Sequence, residues 1–207
     1  YEVYSYNGSG ATINYRTASP LQGQAFTLAN EPTAQPTTFA LTAITTNSAT
    51  LTVSGGNGAG VAIFLKASAP VDFVPTDGVS YVLGENAAFG NGTQFGTGNY
   101  LVYLSATSPF TVNISNLLPG ITYHIGAYAY NGLNSDLSNN FFATPGTSSF
   151  STLVAEPTAA PGTASVSNTS TSSMNVSWLP ASSVPNGYIV VRRQGATPNS
   201  PVDGTFY

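Results

Sequence analysis

Apolar and polar residues alternate along this chain in short runs, and nearly every run ends in a cluster of Gly, Asn, Pro or Ser. Alternation of this kind puts successive side chains on opposite faces of a strand, whereas a helix repeats its apolar residues every three or four positions. No convincing helical period occurs. The pattern predicts strands over 39–44, 49–54, 61–67, 80–83, 100–105, 110–115, 121–130, 140–143 and 150–155. Short strands with turn signals between them predict an all-β chain built of antiparallel sandwiches or barrels.

The chain also repeats itself. Glu31-Pro-Thr-Ala-Gln-Pro36 returns 125 residues later as Glu156-Pro-Thr-Ala-Ala-Pro161. Asp77-Gly-Val-Ser-Tyr81 returns 126 residues later as Asp203-Gly-Thr-Phe-Tyr207, and Tyr4-Ser-Tyr-Asn-Gly8 returns 124 residues later as Tyr128-Ala-Tyr-Asn-Gly132. Three markers that keep order and spacing define a unit of about 125 residues. Residues 1–30 then match the end of one unit (strands F and G), residues 31–155 a complete unit, and residues 156–207 the start of the next (strands A to C′). Cut sheets leave open edges that template aggregation. Either the chain is longer, which is the favoured expectation, or neighbouring chains complete the partial units.

Three segments resemble fibronectin type III domains. Met174-Asn-Val-Ser-Trp178-Leu-Pro180 looks like the family's second strand, and the resemblance implies that Trp178 packs between the sheets. Leu117-Leu-Pro119-Gly120-Ile-Thr-Tyr123 looks like its turn into strand F, which implies that Tyr123 makes a tyrosine corner with Pro119 and Gly120 in the turn. Ile125-Gly-Ala-Tyr-Ala-Tyr-Asn131 resembles the long strand F itself. The fold implied is a string of antiparallel fibronectin type III-like β-sandwiches in tandem. Tyr188-Ile-Val-Val-Arg-Arg193, Pro201-Val-Asp-Gly-Thr-Phe-Tyr207 and the Glu-Pro-Thr linkers are similar to repeats in long secreted and cell-surface proteins of Bacteroidota. Such proteins are often exported by the type IX secretion system and serve adhesion, gliding or polymer degradation. Two features depart from the family. Val53 stands where Trp178 stands one unit later, and the unit exceeds the ~100 residues of an ordinary sandwich. The excess is expected in a long exposed loop near 84–99, rich in Gly and Asn.

Composition narrows the function. Only 6% of residues are charged, against roughly 25% in an average domain. So few charges repel weakly in solution, which suggests a surface covered by other subunits, sugar or neighbouring domains. The net charge is −4 and the cations are Arg16, Lys66, Arg192 and Arg193. Nucleic-acid binding needs clustered cations and is not expected. No apolar run reaches the ~18–20 residues of a membrane span, so membrane insertion is not expected. Cysteine is absent, which removes disulfides and thiolate metal sites.

Candidate chemistry is thin. His124 is the sole histidine and would have to serve any Ser–His–Asp triad. It follows Tyr123 on a strand, so it points outward if Tyr123 points inward. A surface or interface histidine is the plainer reading. Glu31, Asp77, Glu156 and Asp203 belong to the repeat markers, where turn or linker hydrogen bonding explains them more simply than glycosidase chemistry. Asp72 and Asp77 share a loop but lack the ligand run of a calcium site. No catalytic residue, metal or cofactor is expected. Phe89, Phe95 and Tyr100, in or beside the long loop, are candidate contacts for a glycan or partner, unless they fold back on the sandwich edge. Tyr128 and Tyr130 share one face of strand F and are candidate inter-domain or inter-subunit contacts. Asn7, Asn91, Asn113, Asn168 and Asn175 stand in sequons, which arise easily by chance in so Ser- and Thr-rich a chain.

These readings converge on a non-catalytic structural or adhesive segment of an extracellular surface fibre or filament, located on a bacterial cell surface. Its expected partners are neighbouring repeats or identical subunits, and surface glycans. The alternative is a spacer or carbohydrate-binding accessory module of a secreted polysaccharide-degrading enzyme.

Overall fold

The structure, a computed structural model, describes residues 1–106 and 109–207. Its strands in chain order are β1 (Glu2–Val3), β2 (Tyr6–Asn7), β3 (Asn14–Tyr15), β4 (Leu21–Gln22), β5 (Thr38–Thr42), β6 (Ala49–Ser54), β7 (Gly60–Ala67), β8 (Gln94–Phe95), β9 (Asn99–Ser105), β10 (Phe110–Ile114), β11 (Thr122–Asn131), β12 (Asn140–Phe141), β13 (Gly146–Ser151), β14 (Ala164–Ser167) and β15 (Asn175–Trp178). The only helical turns among the described residues are two three-residue 3-10 turns, Gly10–Thr12 and Val82–Gly84.

Strands β5 to β13 make two antiparallel sheets. One has the order β10-β6-β5. The other runs β12-β11-β7-β9-β8, and β13 also pairs with β11. Alternation explains the first sheet. β6 buries Ala49, Leu51 and Val53, and β10 buries Phe110, Val112 and Ile114, while the residues between them face outward. These side chains meet Val61, Ile63 and Leu65 of β7, Tyr123, Ile125 and Ala127 of β11, and Phe150 of β13 in one core. Full burial of each large aliphatic side chain contributes about 1.5–3 kcal/mol. The chain is therefore an all-β antiparallel sandwich.

The second sheet behaves differently. Gly60 to Leu65 are all buried, without alternation, so β7 is covered on both faces. The cover is the connection from β7 to β9, residues 68–98. It lays Phe73, Tyr81 and Phe95 over Ala62, Phe64, Tyr128 and Tyr130 on the outer face, with Phe141 at the edge. Phe64 sits at the centre, its ring 5.1 Å from Phe73, 5.5 Å from Phe95 and 5.9 Å from Tyr128. The contacts to Phe95 and Tyr128 are edge-to-face, and such pairs add about 0.5–1.5 kcal/mol each beyond the area they bury. The extra length of this sandwich thus lies in 68–98 and forms a second core, which corrects the expectation of an exposed loop near 84–99.

Two strand expectations are also corrected. Residues 80–83 form no strand: Tyr81 turns inward and its hydroxyl accepts the Thr76 N–H at 2.8 Å, leading into the 3-10 turn. The last strand of the sandwich is Gly146–Ser151 rather than 150–155. Its Gly and Ser residues carry no strand signal of their own, so the pairing with β11 sets it.

Candidate functional site

Tyr123 lies on β11 with its ring buried beside Phe89 and Phe150, and its hydroxyl accepts the Leu118 N–H at 2.8 Å. That bond closes the turn through Pro119 and Gly120, whose φ of 68° suits glycine. Trp178 is half-buried and contacts a single ring, Tyr188, at 5.9 Å.

Of the five aromatic residues considered as partner contacts, Tyr128 and Tyr130 are buried and Phe89, Phe95 and Tyr100 are half-buried. Phe89 is folded onto the sandwich edge, 5.0 Å from Tyr100 and 5.1 Å from Tyr123. Phe95 joins the second core, and Tyr100, half-buried, donates its hydroxyl to Gln94 Oε1 at 2.8 Å. Tyr128 and Tyr130 do share a face, but residues 68–98 cover it, and both are buried. Burial pushes the Tyr128 hydroxyl up to about 12 and raises that of Tyr130. Phe89, Phe95 and Tyr100 thus make no open loop platform, and Tyr128 and Tyr130 make no exposed pair. The missed signal was the unbroken apolar run Val61–Leu65, which marks a strand buried on both faces.

His124 points to the outer face. Its cross-strand neighbours are Lys66 on β7 and Ser149 on β13, so neither side offers it a carboxylate. It lines a shallow groove of about 490 Å³ with Pro70, Val71, Thr147 and Ser148. The nearby acid, Asp72, is engaged elsewhere. Lys66 Nζ donates to both its oxygens, at 2.7 and 2.8 Å, and Asn99 Nδ2 donates to Oδ1 at 2.8 Å. These bonds hold the Asp72 carboxyl below the usual carboxylate range, Lys66 contributing most. Asn99 is itself buried and also donates to the Phe95 carbonyl at 2.9 Å, so the cluster pins the connection rather than opening a reactive centre. Asp77 Oδ1 accepts the Phe141 N–H at 2.7 Å. No cluster of three or more acidic, His or Cys side chains suited to a metal occurs among the described residues.

The segments on either side carry the same local geometry as the sandwich. Tyr6 pairs with Tyr15 and Asn7 with Asn14, and the two rings lie 5.5 Å apart at 48°. Tyr130 pairs with Phe141 and Asn131 with Asn140, with rings 5.3 Å apart at 47°. A Cβ on Gly8 would collide with the Thr12 carbonyl, as one on Gly132 would with that of Ser138. In β14 and β15, Ala164 pairs with Trp178 and Val166 with Val176; 125 residues earlier, Phe39 pairs with Val53 and Leu41 with Leu51. The connecting turns also match. The Ser170 N–H donates to the Ser173 carbonyl at 2.8 Å, and the Thr45 N–H to the Ser48 carbonyl at 2.9 Å. One difference is exposure: Tyr4, Tyr6 and Val176 are exposed, while Tyr128, Tyr130 and Leu51 are buried.

No family profile and no curated protein sequence matches this chain. Among solved structures, it is similar to a computationally redesigned β-sandwich protein at 18% identity and a TM-score of 0.38, over 62% of this chain and 95% of that one. It is also similar to a human fibronectin type III domain at 16% identity and a TM-score of 0.34, over 60% of this chain and 77% of that one. Likenesses this distant assign no family. The fold rests on the chain's own strand order and register, which make it an all-β antiparallel sandwich protein.

Proposed function

We propose that this chain is a non-catalytic structural segment of an extracellular surface fibre, built from tandem units of about 125 residues of the fibronectin type III kind, as in long surface proteins of Bacteroidota. The observation that carries the reading is the return of local geometry at offsets of 124 to 126 residues. The Tyr6–Tyr15 and Tyr130–Phe141 pairs agree within 0.2 Å and 1°, and the hairpins around Ser170 and Thr45 share one register and one turn. On this reading the exposed Tyr4, Tyr6 and Val176 belong to faces made to be covered by strands of the same kind, in cis or from a neighbouring chain. The commitment of Asp72 to Lys66 and Asn99, and the position of His124 between Lys66 and Ser149, favour a structural role over a catalytic one. Tyr128 and Tyr130 are buried and Phe95 half-buried, which disfavours these three as a platform for sugar.

Electron microscopy of the native material tests the reading. Filaments with a regular axial repeat, labelled by antibody on intact cells, are the expected result. Particles with one large compact domain on a thin stalk would overturn it and make the segment a spacer of an enzyme.

A further inference from the structure

We infer that consecutive units are joined through a built socket: a leucine three residues before the Glu-Pro-Thr linker sits on the left-handed glycine of the next unit's Asp-Gly turn, and this second contact beside the linker holds neighbours at one repeated angle. The inference rests on the tandem reading above and says how the partner surface of each unit is made.

The contact occurs twice. Leu28 Cδ2 lies 3.4 Å from the point where a Cβ on Gly78 would stand, and Leu153 Cδ2 lies 3.7 Å from the same point on Gly204. The leucines are 125 residues apart and the glycines 126. Both glycines are left-handed, with φ of 68° and 73°, and both follow an aspartate. A side chain at either glycine would be strained by its positive φ, and the leucine methyl lies at van der Waals distance from the place a Cβ would take. Each turn is closed in the same way. Tyr81 Oη accepts the Thr76 N–H and Tyr207 Oη accepts the Val202 N–H, both at 2.8 Å and five residues back.

The first socket is fastened on all sides. Gly78 N–H donates to the Asn139 carbonyl at 2.9 Å, and Asp77 Oδ1 accepts the Phe141 N–H, so the Asp-Gly turn is fixed to the β11–β12 loop. The chain leaving Leu28 is bonded to that loop: Ala29 N–H donates to the Ser138 carbonyl at 2.8 Å, and Asn140 Nδ2 donates to the Ala29 carbonyl at 2.9 Å. In the second joint the leucine is anchored from its own side. Leu153 N–H donates to the Thr45 carbonyl at 3.0 Å and its carbonyl accepts the Gly120 N–H at 3.0 Å. Thr46, Leu153, Asp203 and Gly204 line one cleft of about 210 Å³ between the two. Two prolines restrict a linker but leave the torsions between them and the neighbouring sheets free. A second contact off the linker axis removes that freedom.

The chain has no cysteine, so Thr111→Cys and Thr163→Cys, both at exposed positions, place spin labels only on either side of the second joint. Pulsed electron spin resonance on the doubly labelled chain is expected to give one narrow distance peak. Leu153→Gln should lose that peak to a broad distribution, and Leu153→Met should keep it. A broad distribution before any change at Leu153, or a narrow peak that survives Leu153→Gln, overturns the socket. Hydrogen exchange on the same samples separates the two levels of argument. Protected amides in β14 and β15 with a broad distance distribution sink the joint alone. Unprotected amides there mean that 156–207 holds no fixed structure beside the sandwich in this chain, which overturns the joint and leaves the tandem reading to the microscopy.

Discussion

The Tyr128 hydroxyl donates a 2.7 Å hydrogen bond to the Phe73 carbonyl, 55 residues away in sequence, and so fastens the connection 68–98 to the middle of the six-stranded sheet. This contact decides what the outer face can do. A face that could meet a partner is instead the floor of a second core, and the mass of the connection lies against it.

Tyr128→Phe keeps the ring and deletes the donor, leaving the Phe73 carbonyl without it. The expected loss is about 1–2 kcal/mol in chemical denaturation. The same hydroxyl predicts an alkaline limit. Its folded value of about 12 stands above the ordinary 10.0 because of burial. A raised value means that the stabilisation is whole below the unfolded value of 10.0 and is lost as pH rises through 10 toward 12, because only the unfolded chain sheds the proton there. The loss should reach on the order of 2–3 kcal/mol near the upper end. Denaturation midpoints measured across this range should fall in the parent chain and fall less in Tyr128→Phe. Parallel curves would refute the assignment.

Asn99 is the second fastening of the same connection. Its amide nitrogen donates to Asp72 Oδ1 and the Phe95 carbonyl, and its oxygen accepts the Asp72 N–H at 3.2 Å. Asn99→Ala removes a buried donor from the Phe95 carbonyl, while the exposed Asp72 carboxylate can turn to water, and about 1–2 kcal/mol should be lost. Lys66→Met should cost far less, because Asp72 is largely exposed and exposed ion pairs contribute little. The depressed Asp72 carboxyl sets the pH sense: its contribution is present above the ordinary carboxylate range and fades as pH falls through the lowered value. Amide exchange in 70–99 should therefore quicken in acid before the rest of the sandwich loosens. Uniform quickening would count against it.

Tyr123 and Tyr81 make one kind of bond in two places, each accepting an N–H five residues back at 2.8 Å. Tyr123→Phe and Tyr81→Phe should each cost about 1–2 kcal/mol. Their consequences differ by location. Loss at Tyr123 loosens the turn into β11 and should destabilise the whole sandwich. Loss at Tyr81 should act on the second core and the Asp77-Gly78 turn, so proteolysis within 68–98 should rise most. Identical proteolysis patterns for both variants would deny that distinction.

The inner core was legible in the sequence because half-buried strands write their own pattern. Leu51 and Val53, or Val112 and Ile114, stand two apart with polar residues between, and β6 and β10 follow. The tyrosine corner was legible because Leu117 to Tyr123 keep a turn signal at fixed spacing. The outer core was not. Tyr128-Ala-Tyr130 reads as a strand with one decorated face, and nothing local tells a face covered by a loop from one left to a partner. Phe73, Tyr81 and Phe95 reach Phe64 through a long connection, and contacts of that separation leave no short-range period. The position of β13 is hidden for a related reason: Gly146-Thr-Ser-Ser149 is polar on both sides, and only the register with Ala127 to His124 makes it a strand.

The pairs Phe39–Val53 and Ala164–Trp178 occupy the same place in two hairpins, and each sets one large side chain against one smaller one. Val53 is 1% exposed and is flanked across its neighbours by Phe39 and Phe110. An indole there has no room while Phe39 remains. Val53→Trp alone should overpack the core and cost about 1–3 kcal/mol or more. Phe39→Ala alone removes a ring from the core edge and should cost on the order of 2–4 kcal/mol. The double variant rebuilds the arrangement of Ala164 and Trp178, so the two costs should not add. A double-mutant cycle by chemical denaturation should give a favourable coupling of about 1–3 kcal/mol. Strict additivity would mean that the exchange of sizes between the two hairpins is coincidence, and that Trp178 answers to the packing of its own surroundings alone.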